Sequence, residues 1–424
     1  MVSGGDSMGT PSVGVMLVVV ALLFIADIRA EGCRDPIVQI LVSPLVNTKA
    51  LRIMDLSWDV GSLWRPGDWV GLYNVKPSKE VLPKFRSYAN GALGTVRTGI
   101  QEGRLFSEPD YQKLCLGWWA AYWHQNHSEP TAVSCLSSNP RWMEELQPLI
   151  SSLRLNEAFI PGTHDSGAFF LAYKPFSDNR LIKYIYAQDE SIMEQLIHGA
   201  RYLDIRVALY KGNFWVCHGI AIVHPLEFIL KDVKTFVDNT REIVILDFHE
   251  FLNGFNRSTH YKLIDFVRSE VGEHLAPPHL EWSVTLGQLW RMDKRIIAAY
   301  NDKSIVAEKA GELWLPVRQF WGNKRSIQDL FGYFRNIFSR NLRTRHMFWT
   351  AMAELTPDFW DVLMDKLNGL RVLADNTNKD ITNWFRGEWD AKANGVAVDF
   401  IRSSGIVESA ISWNKRKARN SMCD

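Results

Sequence analysis

The sequence predicts an α/β protein: an irregular TIM-like (β/α) barrel preceded by a smaller all-β, sandwich-like domain. Three observations predict it. Short apolar runs rich in β-branched and aromatic residues fill the stretch before Pro140, punctuated by Pro, Gly and Asn. After Pro140, strand-like runs alternate with helical patterns over about 280 residues, as in a parallel barrel. Polar residues then collect at the ends of these later strands, where barrel active sites form.

Composition narrows the function classes. With 48 Lys+Arg against 47 Asp+Glu over 424 residues, the chain lacks the basic excess of a dedicated nucleic-acid binder. A hydrophobic fraction of 46%, with 17 Trp and 22 Phe, excludes a disordered chain and supplies a large core.

The first element is a targeting segment. Val13–Ala26 (VGVMLVVVALLFIA) is an unbroken apolar run closed by Asp27, Arg29 and the small Ala30. It is shorter than the about 20 residues of a spanning helix and has the length of a secretory h-region, although no Lys or Arg precedes it. Residues 1–30 are therefore expected to be a cleaved signal peptide, and the protein to be secreted. All five cysteines, Cys33, Cys115, Cys135, Cys217 and Cys423, follow that point. In an oxidising compartment four can pair, and Cys217, inside an apolar strand-like run, is the expected free thiol. Asn126 (NHS) and Asn256 (NRS) are sequons for N-glycosylation. Neither CxxC nor HExxH occurs, so the sequence gives no support to a zinc site.

Residues 31–140 read as the β-sandwich-like domain, with IVQILV, LRIMDLSW, DWVGLYNV and LCLGWWAAYW as strands. Pro44, Pro66, Gly67, Asn90 and Gly91 mark its turns, and Trp58, Trp64, Trp69, Trp118, Trp119 and Trp123 are expected in its core. Residues 145–424 read as the barrel. NEAFIPGTHDSG is a strand running into a turn, and SIMEQLIHG is a helix with a Ser191/Glu194 capping box and Gly199 as its stop. ARYLDIRVALY, NFWVCHGI, EIVILDFHEF and RIIAAYN follow as strands, with VHPLEFILKDVKTFVDN as a helix among them. LRVLADN and NGVAVDFI are expected to be two late strands. The polar end NKRKARNSMCD is not a lipid-anchor signal. Its basic stretch, Lys415–Arg419, reads as a solvated helix terminus or else a contact for anionic lipid.

The chemistry sits at strand ends. His164 and Asp165 follow AFIPGT; Asp204 and Arg206, two apart in YLDIR, share one face of the pleat. His218 ends FWVC and precedes Gly219, which allows close ligand approach; Asp247 and His249 form another i, i+2 pair, and Asp399 lies within VAVDF. Two histidines, an arginine and several carboxylates suit phosphodiester cleavage. One imidazole takes a hydroxyl proton, the other protonates the leaving alkoxide, and the guanidinium neutralises phosphoryl oxygens. The plainer alternative is a satisfied polar histidine in a strand and an internal Asp-x-Arg ion pair.

PGTHDSG, GARYLDIRVA, VCHGI and EIVILDFHEF, in this order and spacing, resemble the X domain of phosphatidylinositol-specific phospholipase C across roughly residues 145–405. The resemblance implies an irregular (β/α) barrel that cleaves the inositol-lipid phosphodiester by general acid–base catalysis. It implies His164 as the base that activates the inositol 2-hydroxyl and His218 as the acid toward the diacylglycerol oxygen. Asp165 matches the carboxylate that supports the acid, and Asp399 the one that orients the base. Eukaryotic signalling members hold calcium with acidic residues around this strand, whereas bacterial-type members place an arginine there. Arg206 occupies that position, and His249 stands where a later calcium-ligating Glu would be. A guanidinium and Ca²⁺ compete for one spot, so the expectation is a metal-independent site without cofactor, Ca²⁺ being disfavoured. No EF-hand, C2 or Y-half motif is recognisable, which places the chain beside the X-domain-only group. His249, Tyr300 and Asp375 are the candidates for the inositol pocket by their positions on strands.

The expected partners are inositol phospholipid or a glycosylated inositol-lipid anchor, met at a membrane surface. Two other functions compete. A catalytically idle lipid- or partner-binding barrel would be expected to have lost a histidine, yet His164, Arg206 and His218 are all present. A metal-dependent glycerophosphodiesterase-like enzyme would carry His-Arg-Gly or a carboxylate triad for Mg²⁺, which Arg206 opposes.

Overall fold

Period-two alternation builds the first part of the chain. β1 (Ile37–Val46), β2 (Arg52–Asp59), β3 (Trp69–Tyr73), β4 (Phe85–Tyr88), β5 (Leu93–Glu102), β6 (Cys115–Trp123) and β7 (Ala132–Ser137) pair antiparallel throughout. They form one sheet in the order β1-β2-β5 and another in the order β4-β3-β6-β7. Val38, Ile40, Met54, Leu56 and Trp58 from the first sheet meet Val70, Leu72, Ala120 and Tyr122 from the second in one buried cluster. Trp64 and Trp118 pack on its edge, while Trp69 stacks on Trp123 with ring centroids 5.3 Å apart, beside Trp119. These tryptophans serve packing, as expected. Cys115 and Cys135, on the neighbouring strands β6 and β7, form a disulfide, and Cys217 is buried and has no disulfide partner among the described residues. This computed structural model describes residues 35–47, 49, 51–103, 109–170, 181–252, 254–340 and 347–419. The expected signal peptide, Cys33 and Cys423 lie outside the described residues.

The rest of the chain is mixed α/β. β8 (Ile160–Thr163), β9 (Tyr202–Tyr210), β10 (Asn213–His218), β11 (Ala221–Pro225), β12 (Val244–Leu252), β13 (Ile296–Tyr300), β14 (Arg318–Trp321), β15 (Trp349–Met352) and β16 (Gly395–Val398) make a nine-stranded sheet. A parallel ladder runs β14-β15-β16-β8-β9-β12-β13. β10 folds back antiparallel on the far half of β9, and β11 on β10. NFWVCHGI is thus half of a hairpin rather than a barrel strand. Among the described residues no ladder joins β13 to β14, so strand pairing does not close the barrel there.

Alternation along the parallel strands divides the core in two. Leu203, Ile205, Leu246, Phe248, Ala298, Tyr300 and Val398 face the helices. Their alternates Tyr202, Ile245, Ile297, Met352 and Ala397 face the interior, where Trp282, Trp290 and Trp314 join them. The helix Leu226–Asn239 covers the outer face with Leu226, Ile229, Leu230, Val233, Phe236 and Val237, the i, i+3, i+4, i+7 pattern of a one-sided helix. The Ser191/Glu194 capping box forms as expected.

Some expectations fail. LRVLADN is not a strand: it opens the helix Leu370–Arg386, which buries Leu370, Leu373, Ala374, Thr377, Asn378 and Ile381. The first five residues alone fit either period; the helical repeat shows only downstream. The strands Arg318–Trp321 and Trp349–Met352 were not expected, since four-residue runs carry little periodicity. The basic stretch ends the helix Ile406–Ala418, where Arg416 donates to Asp390 at 2.7 Å.

A fully buried ion pair of the α/β part holds the segment that connects it to the first part. Arg201 Nε donates to Glu242 Oε2 at 2.6 Å, and its other donors reach the carbonyls of Leu196, Ala200, Asn139 and Pro140. Glu242 accepts from the backbone N–H groups of Met143 and Glu144. The connecting segment is therefore pinned by one charge pair. Glu242→Ala leaves the guanidinium uncompensated and is expected to cost about 3–5 kcal/mol in urea unfolding. A loss under about 1 kcal/mol, within the range of exposed pairs, would show that the pair holds nothing.

Candidate active site

The site begins with Gly162 in PGTHDSG. A Cβ there would lie 2.6 Å from the Tyr202 carbonyl oxygen, so only glycine lets β8 approach β9 this closely. Just beyond β8 the chain turns through Asp165 at φ 42°, a left-handed conformation for a non-glycine residue that costs about 1–3 kcal/mol. The turn is held by the Asp165 N–H, which donates to Asp204 Oδ2 at 3.0 Å.

Arg206 stands at the centre, on the inward face of β9 with Asp204. Its Nε lies 2.9 Å from Asp165 Oδ1, and its Nη2 lies 3.2 Å from Asp204 Oδ2 and 2.8 Å from His164 Nε2. Burial works against the guanidinium's charge, but Asp165, Asp204 and Glu250 hold it firmly protonated. Asp204 is buried, which favours its neutral form, yet Arg206, His164 and His249 pull its pKa down to about 2. Beneath them Gln319, on β14, donates from Nε2 to Tyr202 Oη, Asp204 Oδ1 and Asp247 Oδ2 at 3.0–3.1 Å.

The two expected catalytic imidazoles flank this cation, with ring centroids 6.3 Å apart. His164 Nδ1 lies 2.8 Å from Asp399 Oδ1. A carboxylate only accepts and a guanidinium only donates, so the neutral ring carries its proton on Nδ1 and a lone pair on Nε2. That is the form of a base. Burial opposes a charge on His164, but Glu354, Asp399 and Asp165 outweigh it and push the pKa up to about 10. The two tendencies meet at Nε2: a protonated ring would face Arg206 donor to donor, so uptake of a proton requires the guanidinium to swing away. His218 has the opposite surroundings. Its Nδ1 donates to the Ile185 carbonyl at 2.6 Å, and its Nε2 faces Asp165 Oδ2 at 3.2 Å. Acceptor oxygens beside both ring nitrogens suit a group that delivers a proton, the role of an acid.

The structure brings His164, Asp165, Asp204, Arg206, His218 and Asp399 together. His249 joins the margin, with Nδ1 3.4 Å from Asp247 Oδ2; burial opposes its charge, and Asp247 and Asp204 prevail to raise its pKa. Two expected pocket residues fall elsewhere. Tyr300 points to the helix layer, its hydroxyl 2.6 Å from His260 Nδ1, because a one-residue step in register reverses the face; Asn301 is the inward neighbour and donates to the His249 carbonyl. Asp375 lies on a helix, not a strand, and accepts from Ser43 and Arg97 at 2.6 Å each.

Glu354 escaped the sequence reading. It is buried, and among the described residues neither carboxylate oxygen has a hydrogen-bond partner. Burial raises its pKa to about 7, partly offset by His164. The signal was present in FWTAMAEL, where Thr350 and Met352 alternate along β15 and Glu354 follows two residues past its end.

This geometry defines a class. In overall fold the chain is similar to phosphatidylinositol-specific phospholipase C from Staphylococcus aureus, at a TM-score of 0.53 and 16% identity, covering 65% of this chain and 98% of that one. A second structure of the same bacterial enzyme gives 0.52 and 17%, covering 66% and 98%. The fold is thus that of a phospholipase C-like barrel. Among curated proteins the chain is 28% identical over 313 residues to PI-PLC X domain-containing protein 1 from Homo sapiens, covering 67% of this chain and 95% of that protein. PI-PLC X domain-containing protein 3 from Mus musculus is 24% identical over 304 residues, covering 64% and 92%. No protein-family profile matches the chain. The resemblance read from the four motifs therefore holds: its relatives are X-domain proteins.

The electrostatics make a pH prediction. The neighbouring carboxylates hold the His164 pKa at about 10, above the ordinary 6.5 of an imidazole, so its charge contributes to stability fully below about 6.5 and that contribution is lost as pH rises through about 10. Glu354→Gln removes a carboxylate that raises this pKa. The imidazole titration followed by NMR is expected to move toward lower pH, and an unmoved titration would mean Glu354 does not act on His164.

Proposed function

We propose that the protein is a secreted phosphoric diester hydrolase that cleaves phosphatidylinositol-type lipids, glycosylated inositol-lipid anchors included, without a metal. The observation that carries this reading is the placement of one guanidinium between a base-like and an acid-like imidazole. His164 Nε2 takes the proton of the inositol 2-hydroxyl, whose oxygen attacks phosphorus to form a five-membered cyclic phosphate. The bond from phosphorus to the diacylglycerol oxygen breaks, and His218 returns a proton to that oxygen. Arg206 leaves His164 to bind the phosphoryl oxygens, whose negative charge grows in the transition state. Asp399 holds the base in its tautomer, and Asp165 holds the acid. A calcium ion needs several oxygen ligands at about 2.3–2.6 Å, whereas Asp165 and Asp204 are engaged by the guanidinium.

Access from a membrane surface is supported by exposed apolar side chains on segments next to the site. Ile220, just after His218, is 100% exposed, and Phe359 and Trp360, shortly after Glu354, are 71% and 60% exposed. Secretion is supported by the Cys115–Cys135 disulfide and by exposed sequon residues Asn126 and Asn256. Residues 1–30 are assigned as the signal peptide, 31–140 as a sandwich-like domain with its own core, and 145–424 as the phospholipase unit.

Phosphorus NMR of phosphatidylinositol vesicles treated with the protein is expected to show a water-soluble cyclic phosphate that still forms in excess EDTA. His164→Ala and His218→Ala are each expected to lower turnover by about 10²–10⁴-fold. With an aryl leaving group that needs no proton, His218→Ala should recover much of its activity while His164→Ala should not. Activity abolished by chelation and restored by Ca²⁺ would overturn the metal-free reading, and no turnover by the folded wild type would overturn the enzymatic one.

A further inference from the structure

The buried end of the β1-β2-β5 sheet reaches two loops beside the base, one carrying Gln188 and the other Asp399. Arg52 and Glu102 are cross-strand neighbours on β2 and β5, and both are buried. Arg52 Nη1 lies 3.2 Å from Asp189 Oδ2 and 3.0 Å from Glu190 Oε1, on the loop that leads into the helix Ile192–Ile197. Glu102 Oε1 receives Arg402 Nη2 at 2.5 Å, on the turn that follows Asp399.

Between these two anchors sits a single amide. Gln188, directly before Asp189, donates from Nε2 to the carbonyls of His164 and Val398 at 3.0 and 2.8 Å, and accepts the Ile401 N–H at 3.2 Å. It therefore staples the end of β8 to the end of β16. Phe400, next to Asp399, sits at φ 48° in the left-handed region and donates its N–H to the Ala187 carbonyl at 2.8 Å. A phenylalanine holds that conformation only where its surroundings impose it. The loop containing Gln188 and the turn containing Asp399 thus fix each other, and the N-terminal sheet clamps both from outside.

We propose that the N-terminal sheet is a positioning element for the His164–Asp399 pair, with Arg52, Glu102 and Arg402 as positioning residues. Its charges set the distance and direction of a hydrogen bond on which the base depends. The inference rests on the proposed role of His164 as base, but its structural half does not.

The test uses the full chain carrying Glu102→Gln, Glu102→Asp or Arg402→Lys, the last keeping the buried charge so that the fold is not left with an uncompensated ion. Two measurements are made below the unfolding temperature. Turnover of a short-chain, soluble phosphatidylinositol should fall by about 10²-fold in kcat with KM nearly unchanged, as misplacement of a reacting group by about 1 Å would produce. The downfield NMR signal of the His164 Nδ1 proton should shift or broaden in Glu102→Gln and Arg402→Lys, and recover in part in Glu102→Asp. Folded variants with an unchanged Nδ1 signal and unchanged kcat overturn the proposal, even if their melting temperatures drop. If the wild type turns over no inositol lipid, the proposed activity fails alone, and the Nδ1 signal still decides the positioning.

Discussion

Arg206 is the constraint around which the site is organised. A guanidinium on the inner face of a sheet loses hydration that only close acceptors can replace. Asp165 and Asp204 replace it from two sides, and the strained turn at Asp165 is the geometric consequence of bringing one of them there. The same cation leaves His164 Nε2 with a lone pair to present. Removing the arginine from this arrangement would leave several buried carboxylates facing one another without compensation.

The two imidazoles differ in role because they differ in neighbours, not in kind. His164 has one acceptor and one donor beside it, and His218 has two acceptors. Hydrogen-bond complementarity alone separates a lone pair from a proton. Asp165 links the two rings, since one oxygen meets Arg206 and the other meets His218. Movement of the guanidinium toward an anionic ligand would therefore be felt at both histidines through one carboxylate.

What the sequence made legible was local. His164, Asp165, Asp204 and Arg206 lie within two short motifs, and the period of two places Asp204 and Arg206 on one face without any knowledge of the fold. Tyr300 shows the limit, because a strand read without its register leaves the inward face undecided, and the inward residue is Asn301. Gln319 lies on a four-residue strand and Glu354 two residues past the end of another, and alternation that brief does not stand out. LRVLADN misled because its helical period appears only over several turns. The clamp on the base pair lay further out of reach, since Arg52, Glu102 and Arg402 are separated by whole elements and meet only after folding.

Charge balance gives the site a direction. Asp165, Asp204, Asp247, Glu354 and Asp399 are all buried, and Arg206 with the histidines supplies the opposing charge. An anionic phosphate drawn to Arg206 adds to the negative side and takes the guanidinium from the carboxylates that share it. Something nearby must then become less negative. Glu354 is suited to this, because its pKa is already raised to about 7 by burial and its oxygens have no hydrogen-bond partners to lose among the described residues. A proton taken up there neutralises one charge beside His164 and weakens one of the fields that raise the histidine's pKa. A buried carboxylate that makes no hydrogen bond among the described residues is, on this argument, what lets the site accept an anion without a further gain of negative charge.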